Sequence, residues 1–304
     1  MDHLQGKVAV VTGSASGLGR AMAERFAQEG MIVVIADNRF GEAEAVAKEI
    51  ERNGGRAVPV EVDVTRRESV MALADRVDGQ LGGVSVLVNN AGVVSFTPIA
   101  QAEEGGWRWI VDVNLFGVVY GIQTFLPRML KSGRDGHIVN TASLAGVIGG
   151  GGVQANRIRL GDATPQIGAM YGYMATKHAV VAISETLARD LSGSRIGVSV
   201  LCPSHHENTN IFQNSARYRP AQFGGPMSQE EMQATFGQTD QNRERALGPG
   251  RSRPRFPDEC AARVVRAIRE GQFYIFTHPD TRAAVEHRFN QILAGYDDAT
   301  TFVR

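Results

Sequence analysis

Residues 8–19 read VAVVTGSASGLG, a short apolar run followed by a turn that contains three glycines. Four apolar residues ahead of glycine indicate a buried strand, and the apolar residues after Gly17 are spaced as in an amphipathic helix. Glycines at such a junction allow a tight turn and bring a pyrophosphate close to the free N–H groups of the helix. The stretch therefore predicts a nucleotide-binding strand–turn–helix unit, although an ordinary glycine-rich turn would look the same.

The alternation of strand-like and helix-like segments continues through the first two-thirds of the chain. Nearly continuous apolar strands that alternate with helices predict an α/β fold, a parallel sheet with helices on both faces. Such a sheet binds ligands beyond the carboxyl ends of its strands. After the first strand, we predict strands at Ile32–Ala36, Val58–Val62, Val84–Val88, His137–Thr141 and Gly197–Leu201, and helices at Gly17–Gly30, Glu42–Asn53, Arg67–Leu81, Trp107–Met129 and Tyr173–Leu191.

The last third of the chain has a different character. Residues 204–256 are rich in Asn, Gln, Arg, Gly and Pro, whereas residues 257–304 return to a helix–strand–helix pattern that we expect to complete the sheet. Glycines 149–152 are interpreted as a flexible hinge rather than a linker between domains. We therefore predict one domain over residues 1–304. Its last elements are predicted at Pro257–Glu270, Phe273–Thr277 and Asp280–Leu293.

Composition narrows the class of protein. The 304 residues are 43% hydrophobic and carry 32 basic and 32 acidic side chains, so nothing favours nucleic acid or an anionic membrane as a partner. No long uninterrupted apolar run or signal peptide is evident, and we expect no membrane span. Two cysteines, Cys202 and Cys260, do not make a disulfide framework, which favours a reducing, cytoplasmic location.

A carboxylate at the end of the second strand suggests which nucleotide binds. Asp37 follows Gly19 by 18 residues, at the position where an acidic side chain accepts hydrogen bonds from an adenosine ribose. Its charge would repel a 2′-phosphate, so NAD is favoured over NADP. Arg39 lies close enough in sequence to reverse part of this preference, and NADP remains an alternative.

Six motifs in order resemble the short-chain dehydrogenase/reductase family over residues 5 to about 203. The resemblance implies a Rossmann-type, doubly wound parallel sheet of about seven strands, and a nicotinamide cofactor. The motifs are the turn Thr12-Gly-x-x-x-Gly-x-Gly19, the pair Asp63-Val64, the run Asn89-Asn90-Ala91-Gly92, Asn114 in a helix, Ser143 after the fifth strand, and Tyr173-x-x-x-Lys177.

The last motif also selects between two neighbouring tyrosines. Four residues after Tyr173 comes Lys177, whereas four residues after Tyr171 comes an alanine. Residues i and i+4 share a helix face, so we predict that Lys177 lowers the pKa of Tyr173 and makes it the acid/base. Tyr171 is placed in the loop before the helix, facing substrate.

The family resemblance assigns further roles. Ser143 would orient the substrate oxygen, Lys177 would also bind the nicotinamide ribose, and Asn114 would hold a water that completes a proton relay. The implied cofactor contacts are Gly13, Ser16, Gly17, Leu18, Gly19, Asp37, Asp63, Val64, Asn90, Ala91, Gly92, Tyr173, Lys177, Pro203 and Thr209.

The chain departs from the family pattern after the sixth strand. The family's Pro-Gly is Pro203-Ser204 here, and Thr209 lies six residues past the proline rather than five. We still expect Thr209 to meet the nicotinamide amide. The run His205-His206-Glu207 could suggest a metal, but adjacent histidines point in different directions and no third spaced ligand is evident, so no metal is predicted. We expect these residues to line the substrate pocket.

Two long segments are predicted to surround the substrate. Ser143 and Tyr173 are 30 positions apart, longer than in relatives, and the excess at 149–170 (with Arg157, Arg159 and Asp162) is interpreted as a loop at the pocket rim or as a surface excursion. Residues 204–256 correspond to the family's substrate lid. Its apolar residues, which form a pocket for a bulky or aromatic alcohol or else only pack the lid, are Phe212, Tyr218, Phe223, Met227, Met232 and Phe236.

A local likeness sharpens the substrate class. Residues 94–99 (VSFTPI), Asn210-Ile211 and Arg219-Pro220 resemble segments of bacterial dehydrogenases that act on benzylic alcohols of lignin-type aryl ethers.

The predicted function is therefore interconversion of a secondary alcohol and its ketone by an NAD(P)-dependent enzyme, with a homodimer or homotetramer implied by the family. A non-catalytic NAD(P)-binding regulator is the main alternative, and the complete Asn114, Ser143, Tyr173 and Lys177 set argues against it. A sugar-nucleotide epimerase or dehydratase is disfavoured because those relatives carry a different glycine spacing and a bigger C-terminal domain.

Overall fold

A computed structural model describes residues 1, 3–95, 99, 102–148, 170–204, 206, 209–230 and 256–301. These residues build a seven-stranded sheet in which every neighbouring pair of strands is parallel, in the order β3-β2-β1-β4-β5-β6-β7. The predicted α/β architecture is confirmed. The strands are β1 (Val8–Thr12), β2 (Ile32–Asp37), β3 (Arg56–Glu61), β4 (Val86–Asn89), β5 (Gly136–Thr141), β6 (Ile196–Cys202) and β7 (Tyr274–Phe276).

Helices cover both faces of the sheet because its central strands are buried on both sides, which matches their continuous apolar sequences. One face packs against α1, α2 and α8 around Phe26 and Ile268, and the other against α3 to α6 around Phe125. The helices are α1 (Gly17–Gln28), α2 (Phe40–Arg52), α3 (Arg67–Leu81), α4 (Glu104–Val111), α5 (Gly117–Ser132), α6 (Tyr171–Asp190), α7 (Ile211–Arg217), α8 (Pro257–Glu270) and α9 (Arg282–Thr301).

The helix predicted at Trp107–Met129 is interrupted. It begins at Glu104, passes through one π-helical turn at Asp112–Phe116 and continues as α5 to Ser132. By length and composition, Glu104–Ser132 would suit a membrane span, with a mean hydropathy of 1.4. However, 56% of that apolar window is buried inside the fold, as is usual for a core helix. It packs here against β4 and α3.

Near the pocket, the structure contradicts one prediction and describes only part of two predicted segments. Tyr171 does not lie in a loop: it is the first residue of α6 and is 47% exposed. Within the interval 149–170, only Met170 belongs to the described residues, so the predicted loop, with Arg157, Arg159 and Asp162, lies outside them. Of the predicted lid, residues 204, 206, 209–230 and 256 are described, and they contribute α7 and a short 3₁₀ turn at Ala221–Phe223.

Candidate active site

A cavity of about 530 Å³ opens beyond the carboxyl ends of the strands, next to the point where β1 lies between β2 and β4. This is the crevice in which a doubly wound sheet binds its ligand. Every residue predicted to contact the cofactor lines this cavity, and so does Ser143. Among the predicted catalytic residues, only Asn114 does not reach the cavity wall; it lies behind it and is fully buried.

The glycine turn is joined to the loop after β4 by the side chain of Thr12. Its hydroxyl accepts hydrogen bonds from the backbone N–H of Asn90 at 2.9 Å and of Ala91 at 3.1 Å. The two loops pack so closely that a Cβ at Gly13 would lie 2.8 Å from the Cα of Ala91, and a Cβ at Gly19 would overlap the carbonyl oxygen of Gly13. Glycine is therefore required at both positions for steric reasons.

Asp37 is the last residue of β2, lines the cavity near the glycine turn and is almost fully buried. Its Oδ2 accepts one hydrogen bond, from the backbone N–H of Ala15 at 3.0 Å. Its Oδ1 accepts from the backbone N–H of Arg39 at 3.1 Å and from the Arg39 Nε at 3.2 Å. Because a carboxylate oxygen has two lone pairs, Oδ2 retains capacity for a further donor such as a ribose hydroxyl.

Ser143 is positioned by the turn that follows β5. Its hydroxyl caps the 3₁₀ turn Leu144–Gly146 by accepting from the Ala145 N–H at 3.1 Å, and it donates to the Pro203 carbonyl oxygen at 3.4 Å. Hydrogen bonding with the same hydroxyl acts to lower the pKa of the Tyr173 phenol, which also lines the cavity. Ser143 is thus both a structural cap and a polar group on the cavity wall.

Lys177 is one turn further along α6 and is buried. Its ammonium group donates to the Thr141 carbonyl oxygen at 2.7 Å and lies 5.6 Å from the centre of the Tyr173 ring, within the range of a cation–π contact. Burial lowers the pKa of Lys177 to about 8. Nearby Cys202 remains a neutral thiol because burial raises its pKa to about 12.

The predicted effect of Lys177 on Tyr173 is wrong for this arrangement. The pKa of Tyr173 is raised, because burial disfavours the phenolate more strongly than the hydrogen bond from Ser143 favours it. Lys177 points its ammonium group at a backbone carbonyl instead of the phenolic oxygen. At neutral pH, Tyr173 is therefore a neutral phenol, the form that donates a proton.

Asn114 lies in the π-helical turn and fixes the loop that follows β4. Its side-chain oxygen accepts from the Val93 N–H at 2.8 Å, and its Nδ2 donates to the Val93 oxygen at 2.9 Å and to the Thr176 hydroxyl at 3.3 Å. A Cβ at Gly92 would lie within 3.5 Å of both the Asn114 Oδ1 and the Lys177 Nζ. The asparagine thus ties α6 to the cavity wall beside Lys177.

The substrate side of the cavity is largely apolar. Of the predicted lid residues, Phe212, Tyr218 and Phe223 line it, Met227 does not, and Met232 and Phe236 lie outside the described residues. His206 lines the cavity as expected, whereas His205 and Glu207 are not described. Lining residues that the motifs did not identify include Trp109, Ile148, Met170 and Asn214.

Within the described part of the chain, no group of three His, Cys, Asp or Glu side chains could hold a metal ion. Because the histidine pair is only half described, its predicted lack of a metal stays a prediction.

A dinucleotide fits what the residues offer. The cavity falls in the size range of cofactor pockets, with the glycine turn at the helix N-terminus at one end and Ser143, Tyr173 and Lys177 further along. Thr209 packs over Gly17, with its methyl group 3.7 Å from where a Cβ would stand. It therefore lies near the pyrophosphate turn, where it closes the cavity from the lid side.

Comparison with known proteins agrees with this geometry. The family model for short chain dehydrogenases matches residues 7–155. A C alpha-dehydrogenase of Sphingobium is 34% identical over 297 residues, 96% of this chain and 87% of that protein. A 1-deoxy-11-beta-hydroxypentalenate dehydrogenase of Streptomyces avermitilis is 32% identical over 292 residues, 95% of this chain and 91% of that protein.

Among solved structures, a short-chain dehydrogenase/reductase of Burkholderia phymatum in complex with NAD superposes with a TM-score of 0.81. It is 35% identical, and the match covers 97% of each chain. The full-length agreement extends the resemblance beyond the motifs to the segments after β6. The chain therefore belongs to the short-chain dehydrogenase/reductase family of nicotinamide-dependent oxidoreductases.

Proposed function

We propose that this protein is an NAD-linked dehydrogenase that interconverts a bulky, preferably aromatic, secondary alcohol and its ketone. The observation that carries the proposal is the shared wall of one cavity: Ser143, Tyr173 and Lys177 lie on it, and the glycine turn closes its far end. The glycine turn would hold the pyrophosphate of a nucleotide, the three side chains would act at its nicotinamide end, and the apolar remainder of the cavity would take substrate.

The reaction divides between cofactor and protein. A bound nicotinamide supplies or accepts the hydride. Tyr173 exchanges its phenolic proton with the substrate oxygen, and at neutral pH it is in the protonated form, which donates to a ketone. Ser143 has one hydroxyl proton, and by turning it from the Pro203 carbonyl to the same oxygen it would stabilise the developing charge.

Lys177 supplies positive charge to the reaction end of the cavity. With a pKa of about 8, it is mostly cationic at neutral pH, and this charge would favour the phenolate left by Tyr173 once a bound nucleotide redirects the ammonium group. Its ammonium group has two N–H donors besides the one used by Thr141, and we assign these to a ribose hydroxyl and to a water beside Asn114. That water would return the proton from solvent.

NAD is proposed over NADP on the charge at the ribose position. The Asp37 carboxylate accepts from a ribose hydroxyl through Oδ2, and a 2′-phosphate at this position would meet its negative charge. Among the described residues that line this end of the cavity, Arg39 is the cation that could offset this repulsion, but its guanidinium is already paired with Asp37.

The substrate class is proposed from the cavity wall and the relatives together. Trp109, Phe212 and Phe223 provide flat apolar surface for an aromatic ring. The local likeness in residues 94–99, Asn210-Ile211 and Arg219-Pro220 is to dehydrogenases of lignin-type benzylic alcohols, and one relative that matches over most of the chain is named a C alpha-dehydrogenase. We therefore propose a benzylic alcohol of an aryl ether.

The test is a substrate panel followed at the absorbance band of the reduced nicotinamide, with NAD and NADP in parallel. We expect turnover of a guaiacylglycerol aryl ether to exceed that of simple cyclic and steroid alcohols, and NAD to be preferred. Equal rates across the panel would remove the aryl-ether assignment. Tyr173→Phe should bind NAD as the unmodified protein does and lose activity by about 10²-fold or more; an active variant would refute the assigned acid.

Assembly and location complete the proposal. On α9, the apolar side chains Phe289, Ile292, Leu293 and Tyr296 are 46% to 70% exposed and lie on one helix face, which supports a homodimer or homotetramer. Leu293→Glu should shift the sedimentation coefficient towards the monomer. Both cysteines are free and buried, which supports a reducing, cytoplasmic location. Residues 1–304 are proposed to act as one domain, with the lid over the cavity.

A further inference from the structure

The lid reaches the nucleotide end of the cavity, not only the substrate end. Asn214 of α7 donates to the Ser16 hydroxyl of the glycine turn at 3.5 Å. The next lid residue to make such a contact is Tyr218, whose ring lies 5.2 Å from the guanidinium carbon of Arg39. Both lid residues line the same cavity as Asp37.

Arg39 is surrounded by partners from three segments. Its Nε contacts Asp37 at 3.2 Å, its Nη2 donates to the Ser16 hydroxyl at 3.0 Å, and its Nη1 forms an ion pair with Glu42. Only 20% of the side chain is exposed. The guanidinium therefore has one defined position, in which each of its three nitrogens is engaged.

Tyr218 contacts both members of the ion pair between Arg39 and Glu42. Its ring lies over the guanidinium, and its hydroxyl donates to the Glu42 Oε1 at 3.4 Å. A ring over a guanidinium and a hydroxyl bonded to its counter-ion both favour the observed Arg39 position over one turned into the cavity.

Negative charges outnumber positive ones around Arg39. One guanidinium is shared by the carboxylates of Asp37 and Glu42, so the group of three carries a net negative charge. A 2′-phosphate that approached the ribose position would meet this charge, and Arg39 would have to leave Glu42 and Tyr218 to bind it. A plain ribose hydroxyl requires no such movement.

From this geometry we propose that Tyr218 and Glu42 are specificity-determining residues: they hold Arg39 against Asp37 and thereby exclude nucleotides that carry a 2′-phosphate. The inference rests on the nucleotide site proposed above. It gives the lid a role in choosing the cofactor, in addition to covering the substrate.

The experiment compares binding of adenosine 5′-diphosphoribose and its 2′-phosphorylated form by titration calorimetry, so that no turnover is required. The unmodified protein should prefer the unphosphorylated ligand. Glu42→Gln keeps the shape of the side chain and removes one charge, and it should reduce that preference by about tenfold. Tyr218→Ala should reduce it in the same direction, because Arg39 loses the ring that covers it.

Two further variants make the result specific. Gln213→Ala changes an exposed residue of α7 that does not line the cavity, and it should leave the preference unchanged. Adding Arg39→Ala to Glu42→Gln should abolish the gain for the phosphorylated ligand, because Arg39 is the group that is released. Unchanged affinity for the unphosphorylated ligand shows that each variant is folded.

The possible results distinguish a failure of the role of Tyr218 and Glu42 from a failure of the proposed nucleotide site. If the unmodified protein binds neither ligand, the nucleotide site itself is wrong and this inference falls with it. If it binds the unphosphorylated ligand but the Glu42 and Tyr218 variants keep its preference within about twofold, the nucleotide site stands and the role of Tyr218 and Glu42 is refuted.

Discussion

Replacing Lys177 by methionine separates the energetic cost of a buried ammonium group from its use at the site. Methionine has nearly the same length and no charge, so it fills the space of the lysine stem while removing the cation. It also removes the donor to the Thr141 carbonyl oxygen, which lies 2.7 Å from the Nζ. Leaving that buried acceptor without its partner costs about 1–3 kcal/mol at every pH.

The Lys177 charge makes the free energy of unfolding depend on pH, and the direction of that dependence follows from the lowered pKa. The ammonium group titrates at about 8 in the folded protein against 10.5 in the unfolded chain. Between these values the unfolded chain binds more protons, so the stability of the unmodified protein rises with pH over that range. Below about pH 8, the full cost of the buried charge is present, and it amounts to about 3 kcal/mol.

Urea unfolding of the nucleotide-free proteins between about pH 7 and pH 10.5 measures this term. The quantity to follow is the free energy of unfolding of Lys177→Met minus that of the unmodified protein. We expect it to fall by about 3 kcal/mol as the pH rises from 8 to 10.5, because only the unmodified protein is relieved of the charge. Other groups titrate in both proteins and cancel in the difference.

The matched control is Lys48→Met on α2, where the ammonium group is 63% exposed and pairs with Glu44. This side chain stays largely in water on folding, so the variant shows the effect of replacing an exposed lysine by methionine under the same conditions. Curves for Lys177→Met and the unmodified protein that run parallel from pH 7 to pH 10.5 would refute the reasoning, because they would show that burial imposes no cost on the Lys177 charge.

Three further outcomes are expected. A Cβ at Gly19 would overlap a carbonyl oxygen of its own turn, so Gly19→Ala should lower the free energy of unfolding by about 1–3 kcal/mol and abolish nucleotide binding in calorimetry. The control is Gly79→Ala: a Cβ there would have no neighbouring atom within 4 Å, and the free energy of unfolding should rise by about 0.5–1 kcal/mol. Burial lowers the pKa of His137 to about 4, so the free energy of unfolding should fall by about 3 kcal/mol as the pH falls from 6.5 to 4. Urea unfolding of His137→Gln over the same pH range should not show this fall. Asn114→Ala should speed hydrogen exchange at the Val93 amide and lower kcat, since the side chain accepts from that amide.

Most of the fold could be predicted because the sheet is buried on both faces. Strands with no solvent-facing side have continuous apolar sequences, and the boundaries of all seven described strands lie within two residues of the predicted ones. The glycine turn could also be predicted from the sequence, because two backbone segments approach so closely that only glycine fits at positions 13 and 19.

Features that depend on three-dimensional neighbours were not predictable in the same way. The π-helical turn at Asp112–Phe116 has no periodic signature, since it shifts a single turn within an apolar helix. The i, i+4 spacing predicts that Lys177 lowers the pKa of Tyr173, but that pKa is raised. Sharing a helix face does not decide where the ammonium group points. Likewise, Tyr218 and Arg39 are far apart in sequence and meet only because α7 packs against the glycine turn.

The disagreement over Tyr173 changes how the site must be understood. If Lys177 were fixed beside the phenolic oxygen, the protein alone would prepare a phenolate at the pH where it works. Instead, both groups are held in forms that burial favours, with a raised pKa on the phenol and a lowered one on the ammonium group. The lysine's remaining donors therefore have to be directed by the ligands that fill the cavity, so the acid/base should reach its working pKa only when nucleotide is bound. A pH profile of Tyr173 ionisation that is the same with and without nucleotide would contradict this view.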